Sequence, residues 1–562
     1  MQVLSSIKSW RFSSVIVYLS LLCVGVFHEY LSCALSIVLL VWLAVHACRN
    51  RSLTVSVNAT SVMLAVLVVG YAVSSLWAID GGTAVFGFFK FLPVLLYALV
   101  LMQQEGGREQ AVAGLPYAVT AMTVVGVVAA QIPAFAEQFL VVDRFAGFLQ
   151  YPNTYALVML VAELLLLTKR NLRWWDLACI AVLLFGIVYT GSRTVLVLAV
   201  VGNIIGLFIA KNRVLTFAAI GCVAVGAAAA VGYCAISGNW WLIERLTALS
   251  LTDSHFVGRV LYVYDMLPTL ATHPFGVGYM GYYYLQQSVQ TGAYHVMFLH
   301  NDVLQIALDI GWVPCLVFLG TMVRSFVSKT VSARHKLVLG VMLAHCLFDF
   351  DLQYIAVFMM WILFTDHTPI RTHTFTRVRG WVAGAAVACL LCGYLGTALA
   401  LTRFGRYEQA DALYPAYTKA DIGRLSLTAD TEKMGAIADE ILARNEYVAV
   451  AYSVKARQAY AKGDFEKVIR YKHKVFELAP FERAEYQEYA EMLATGISLY
   501  RQAGDTASAD VCKQELLVLN DRMRAAKQKV GKLGSQITTQ PNLYFSTEMW
   551  EYIELLRGQA EE

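Results

Sequence analysis

Charged residues are scarce in the first 402 positions of this 562-residue chain. It carries 44 basic and 40 acidic residues, 15% of the sequence, and 46 of these, 22 basic and 24 acidic, follow Thr402. A chain with 58% hydrophobic content and a mean hydropathy of +0.56 is too apolar to be one soluble domain. The net charge of +4 gives nucleic-acid binding no support, and in a membrane protein the placement of basic residues matters more than their sum. A cysteine framework is also missing. Most of the eleven cysteines (Cys23, Cys33, Cys179, Cys222, Cys234, Cys315 and Cys346 among them) lie in apolar runs, where cysteine behaves as a small hydrophobe. The close pair Cys389 and Cys392 sits mid-span without a second pair and reads as packing. Nothing resembles a cleaved signal peptide, because the first apolar run leads straight into further spans.

What is present is a series of apolar blocks long enough for a bilayer. Windows of about 20 residues give thirteen expected spans, near 12–27, 31–47, 61–78, 84–102, 111–131, 153–168, 175–190, 193–210, 214–236, 303–323, 337–348, 352–365 and 380–402. With a cytoplasmic N-terminus, seventeen of the 22 basic residues before Arg403 fall on the inner side. The odd span count then puts the polar C-terminal segment outside the cytoplasm. The expected class is an all-α polytopic membrane protein of about 12–13 transmembrane helices in the inner membrane.

The outer side receives Arg144, Arg193, Arg245 and Arg259, while Lys90 is left inside a span. Arginines kept where topology disfavours them call for an anionic partner, and guanidinium offers paired planar donors to phosphate or diphosphate. The plainer alternative pairs each with a nearby carboxylate: Asp143, Glu244 or Asp265. Between residues 237 and 300 lies a large outer loop. Phe256, Val260, Tyr264, Leu267 and Leu270 recur there at helical spacing, which predicts an amphipathic interfacial helix ending near Pro268. A turn-rich break from His273 to Gly278 follows, then Tyr282, Tyr283, Tyr284 and Tyr294. Such tyrosines suit a headgroup belt or stacking on sugar rings.

In order, these residues resemble the O-antigen ligase-like superfamily of bacterial glycan ligases, polymerases and protein O-oligosaccharyltransferases. The resemblance covers most of Ser75 to Leu363. Arg144-Phe145-Ala146-Gly147 running into Tyr151-Pro152-Asn153-Thr154 is similar to the family's element before a span, with Tyr in place of the first Asn. Gly191-Ser192-Arg193 resembles its span opening, and Arg259 followed by Pro274 to Gly278 resembles the stretch before its signature. His300-Asn301-Asp302-Val303-Leu304-Gln305, with Asp309 and Gly311, resembles the signature itself.

The resemblance implies a GT-C-like architecture and a glycan donor carried on undecaprenyl diphosphate. It also implies an inverting, metal-independent transfer to a glycan, lipid or protein acceptor on the extracytoplasmic face, with no cofactor. Fixed arginines would stabilise the leaving diphosphate. Arg144, Arg193 and Arg259 are the candidates, with Asn301 and Gln305 also on the substrate; Arg245 is secondary. Histidine is suited to take the acceptor's proton because its ordinary pKa is near 6.5, which makes His300 the catalytic candidate. The plainer alternative has His300 and Asn301 capping the next helix.

His345, Asp349 and Asp351 form a second cluster at an expected outer turn. An Asp-x-Asp pair is a possible divalent-cation clamp, but the resemblance implies none, and these carboxylates could instead pair with arginines or orient a base. Glu163 is ionisable within a span, where such groups are functional suspects unless hydrogen bonded.

Past the expected 1–402 membrane domain, Ala451 to Val468 and on to Pro480 reads as a tetratricopeptide-like hairpin. Gly463 makes its turn, and degenerate copies lie near Gly405 and Ala503. Residues 403–525 are expected to be a helical repeat domain offering a surface to a protein partner, and 526–562 a polar tail. The rival readings are a repeat-unit polymerase of the same superfamily, a lipid-linked glycan transporter, and a non-catalytic assembly protein.

Overall fold

In the structure, a computed structural model, residues 11–210 and 253–561 are described, with isolated positions between 221 and 240. The protein is an all-α polytopic membrane protein, 75% helical and essentially without sheet. Numbered in chain order, its elements begin with α1 (Phe12–Leu22), α2 (Glu29–Asn50), β1 (Leu53–Val57), α3 (Ala59–Ser74), α4 (Gly81–Gln103) and α5 (Gly107–Ala130). Helix α6 (Pro133–Phe139) and strands β2 (Leu140–Val141) and β3 (Arg144–Phe145) lead into α7 (Pro152–Leu167), α8 (Trp174–Thr190) and α9 (Arg193–Ala210). Beyond residue 252 come α10 (Ser254–Thr272), α11 (Gly281–Val289), α12 (Asp302–Ile310), α13 (Trp312–Val327), α14 (Ala333–Cys346), α15 (Ile355–Ile362), β4 (Arg371–Phe375) and α16 (Val378–Arg403). The C-terminal helices are α17 (Tyr407–Leu413), α18 (Thr418–Leu427), α19 (Thr431–Leu442), α20 (Ala449–Ala461), α21 (Phe465–Leu478), α22 (Arg483–Gln502), α23 (Thr506–Gln528) and α24 (Thr547–Glu561).

Among the described residues α2, α4, α5, α9 and α16 are long and apolar enough to cross a bilayer, and α1, α3, α7, α8 and α13 are shorter apolar helices. Each satisfies its backbone internally, as lipid demands. The expected span 214–236 and Arg245 lie outside the described residues. The expected span 303–323 is not one helix. Gly311, at φ 92 and ψ 173, separates α12 from α13 in a conformation open essentially to glycine alone.

By its contacts the chain divides into two compact units, one from 1–73, 86–250 and 300–399, the other from 74–85, 251–299 and 400–562. Helix α7 is the core of the first unit, with every residue buried. Its Glu163 accepts a hydrogen bond from Asn203 Nδ2 at 3.3 Å. Lys90, the lysine left in a span, donates to the Phe27 carbonyl and lies 5.1 Å from the centre of the Phe27 ring.

Two sets of loops are tied together in this first unit. In one set β1 pairs antiparallel with β4, Leu53 opposite Phe375 through Val57 opposite Arg371. Arg108 donates to the Leu363 and Thr365 carbonyls, and Arg324 Nε lies 3.0 Å from Asp366 Oδ2. Burial alone would raise the Asp366 pKa, but the Thr368 hydroxyl and amide, Arg324 and Thr330 outweigh it and hold the carboxyl at about 2. The other set gathers residues 144–153, 190–193, 300–305 and 345–354. Each link joins loops that the alternation of spans assigns to one side.

The second unit corrects three expectations. Segment 251–299 groups with the C-terminal helices and not with the spans, because Tyr284 is buried among Leu425, Ile437, Ile441 and Val454, and Ile537 packs on Val257 and Leu261. Helix α10 continues past Pro268 to Thr272, and its buried face is Val257, Leu261, Met266 and Leu270, leaving Val260, Tyr264 and Leu267 exposed. Segment 526–562 is no polar tail. Leu543, Phe545, Met549, Ile553 and Leu556 are buried with Phe465, Tyr489 and Leu516 in one cluster. Glycine permits close helix approach in this unit: a Cβ on Gly496 would stand 2.7 Å from the Phe465 ring.

Candidate functional site

The site is built on four turns of the first unit. Pro152 opens α7 at its first position, where its missing N–H costs nothing. This sets Tyr151, Asn153 and Thr154 side by side at the helix start. Asn153 Oδ1 accepts from Arg144 Nη2 at 2.7 Å, and Arg144 Nε donates to the Thr190 carbonyl at 2.9 Å. Thr190 ends α8, and Gly191, at φ 61, turns the chain so that Arg193 opens α9 three residues later. Arg144 is thus held on the turn from which Arg193 begins α9.

Asp349 is the hub. Its side chain is fully buried, and a carboxylate removed from water needs donors on its oxygens. Tyr151 OH donates to Oδ1 at 2.8 Å, Phe350 N to Oδ1 at 3.1 Å and Asn153 Nδ2 to Oδ2 at 2.9 Å. His300 Nδ1 lies 3.4 Å from Oδ1, with the imidazole edge-on to the Phe350 ring at 4.9 Å. His300 has φ 54, a left-handed conformation that is strained for a side chain bearing a Cβ. An anion-binding guanidinium, a carboxylate and an imidazole therefore lie in one run of neighbours: Arg144, Asn153, Asp349, His300.

Asp351 has a separate set of partners. Thr154 Oγ1 donates to Oδ1 at 2.7 Å and His345 Nδ1 stands 2.5 Å from Oδ2, with both His345 and Asp351 fully buried. Among the described residues the group whose ligand atoms lie close enough to share an ion, within 4.8 Å of one another, is Asp302, Cys346 and Asp351. It includes Asp351 but not Asp349. Asp302 Oδ2 accepts from Leu352 N at 2.9 Å, which ties the signature segment to this loop.

The remaining expected residues fall out as follows. Asn301 caps α12: Oδ1 accepts from Leu304 N at 3.0 Å and Nδ2 donates to the Leu347 carbonyl at 3.1 Å. Its amide thus acts in the fold, as the capping alternative has it. Gln305 is buried and donates to Asp309 Oδ1 at 2.8 Å, while Asp309 Oδ2 accepts from Tyr71 OH at 3.1 Å. Arg259 is on α10 in the other unit. Its suggested partner Asp265 accepts from Thr291 N and Oγ1 and from Tyr294 OH, at 2.9, 2.6 and 2.9 Å; burial nevertheless raises the Asp265 pKa.

Tyr151, Asn153, Thr154 and Asp302 stand inside the motifs without an expected role of their own, and the Tyr-Pro-Asn turn before a span is their signal. Cys346 had none, since it ends an apolar run.

A family model described as O-Antigen ligase matches residues 154–319. The matched stretch holds Arg193, Arg259 and the His300 segment, whereas Arg144, Asn153 and Asp349 lie outside it and join the site by geometry. No curated protein matches the chain. The family match supports the O-antigen ligase-like superfamily and a membrane ligase- or polymerase-type activity.

Proposed function

We propose that this chain transfers a glycan from a polyprenyl diphosphate to an acceptor hydroxyl on the extracytoplasmic face, by a single inverting displacement that needs no metal. The observation that carries the reading is the Asp349 hub, which sets His300 and Arg144 on one network. Nδ1 of His300 faces the carboxylate, so the proton-accepting role falls to Nε2. The 3.4 Å separation suits a site that tightens when substrate binds.

In the reaction Nε2 takes the acceptor's hydroxyl proton as that oxygen bonds to the anomeric carbon. The bond from that carbon to the diphosphate oxygen breaks, and its electron pair leaves with the lipid diphosphate. Arg144, held on Thr190 and Asn153, is poised to stabilise the charge that builds there, with Arg193 at the opening of α9 as a second candidate. Asp349 keeps the imidazole oriented and stabilises its protonated form. The C-terminal helices, read as tetratricopeptide-like pairs, offer a surface for an acceptor or a protein partner.

The test is transfer of a lipid-linked glycan in isolated membranes. His300→Ala should lose about 100-fold or more of the rate while the chain still accumulates, and chelator should leave the wild type unchanged. Wild-type rates in the variant remove His300 from the chemistry; strict dependence on added Mg²⁺ or Mn²⁺ overturns the metal-free route. A polymerase is told from a ligase by whether the product is a longer lipid-linked glycan or a glycosylated separate acceptor.

A further inference from the structure

We propose that the groove between α9 and α14 is a binding site for one anionic phospholipid, with its acyl chain along the groove and its phosphate on Lys336. This goes beyond the transfer reading and does not depend on it. The groove has a volume of 420 Å³ and is lined by Leu198, Gly202 and Ile209 on α9 and by Lys336, Gly340 and Ala344 on α14, among others. A Cβ on Gly202 would meet Val341 at 3.4 Å, and one on Gly206 would meet Leu337 at 3.6 Å, so the two helices run antiparallel. Leu198 and Ala344 mark one end, near Arg193 and His345, while Ile209 and Lys336 mark the other.

Glycine makes the groove. At Gly340, which lines the groove, an added Cβ would meet the Phe326 ring in ordinary contact at 3.7 Å, so a larger side chain starts there without a clash. Among the described residues Lys336 is the one charged lining residue, and no ion pair involves it. Its neighbour Arg334 is by contrast engaged, donating from Nη2 to the Leu165 carbonyl at 2.6 Å. An aliphatic stem along an apolar groove with an ammonium at its end fits a lipid chain with an anionic head.

Length selects the occupant. From Leu198 to Ile209 the helix rises about 17 Å, close to one leaflet of a hydrocarbon core about 30 Å thick. A phospholipid from the leaflet at the Lys336 end fills that length with its phosphate on the lysine. A donor lipid would bring its diphosphate to the opposite end, beside Arg193 and His345, and would leave Lys336 without an anion.

The experiment uses the full chain purified in mild detergent, with co-purifying lipid measured by mass spectrometry and thermal unfolding followed on adding phosphatidylglycerol or phosphatidylcholine. The wild type should retain about one phosphatidylglycerol and prefer it over phosphatidylcholine about fivefold, the factor expected for one lysine–lipid contact. Lys336→Gln should abolish the preference, and Gly340→Leu should shed lipid whatever its headgroup. Wild-type retention in both variants overturns the proposal. So does displacement of phosphatidylglycerol from the wild type by a polyprenyl phosphate, which would assign the groove to the donor tail. Should Gly340→Leu not accumulate, Lys336→Gln decides alone, since it breaks no ion pair. Glycan transfer is read separately, so failure here and failure of the His300 reading are distinguishable.

Discussion

At the scale of single residues, the weight of the site rests on Asp349. Asp349→Asn keeps the shape but replaces an acceptor pair with an amide, so the imidazole loses the charge that orients it. Transfer should fall about 100-fold or more with donor binding kept, as measured by initial rates against donor concentration; an unchanged rate would reduce Asp349 to a structural link. On the other loop set, Asp366 has its carboxyl held at about 2, below the ordinary carboxylate value. A depressed carboxylate contributes stability above its unfolded pKa and loses it as pH falls through the folded one. The unfolding temperature should therefore fall from pH 4 towards pH 2 in the wild type. Asp366→Asn should lack that step and be less stable by about 1–2 kcal/mol at pH 7. The His300 segment drew notice in the sequence because it carries an ordered motif. The use of Asn301 as a cap was legible as an alternative, and the hydrogen bonds to Leu304 and Leu347 decide it.

At the scale of elements, ten of the hydrophobic runs coincide with apolar helices among the described residues, five of them long enough to cross a bilayer, because lipid requires about 20 apolar residues or a compensating partner. The break at Gly311 was hidden by that same criterion, since apolar residues continue on both sides of it. Gly311→Ala forces a Cβ into a conformation at φ 92 that costs about 1–3 kcal/mol. The variant should accumulate less and unfold at lower temperature, by detergent-based thermal denaturation. An unchanged unfolding temperature would mean that α12 and α13 tolerate another junction. Helix α10 shows the complementary error. Periodicity found its apolar stripe, but the helix is apolar on two faces, and burial of Val257 and Leu261 against Ile537 makes the other face the packed one.

At the scale of the whole molecule, the charge shift after Thr402 marked the C-terminal helices, but composition could not show what they pack with. Helix α24 looked polar because its apolar residues are few. They are nonetheless spaced for one face, and Ile553 is fully buried. Ile553→Ala should cost about 2–5 kcal/mol, read as a lower unfolding temperature of the full chain, whereas a mobile tail would tolerate it. The sequence by itself determined that the protein is a polytopic membrane protein, because lipid acts through local runs of apolar residues. Only the tertiary structure decided that Asp349 faces His300, that Asn153 carries Arg144 to the same network, and that Asp351 turns instead to His345. The link from Asn153 to Asp349 joins positions 196 residues apart, and hydrogen-bond geometry across such a separation leaves no periodic trace in the chain.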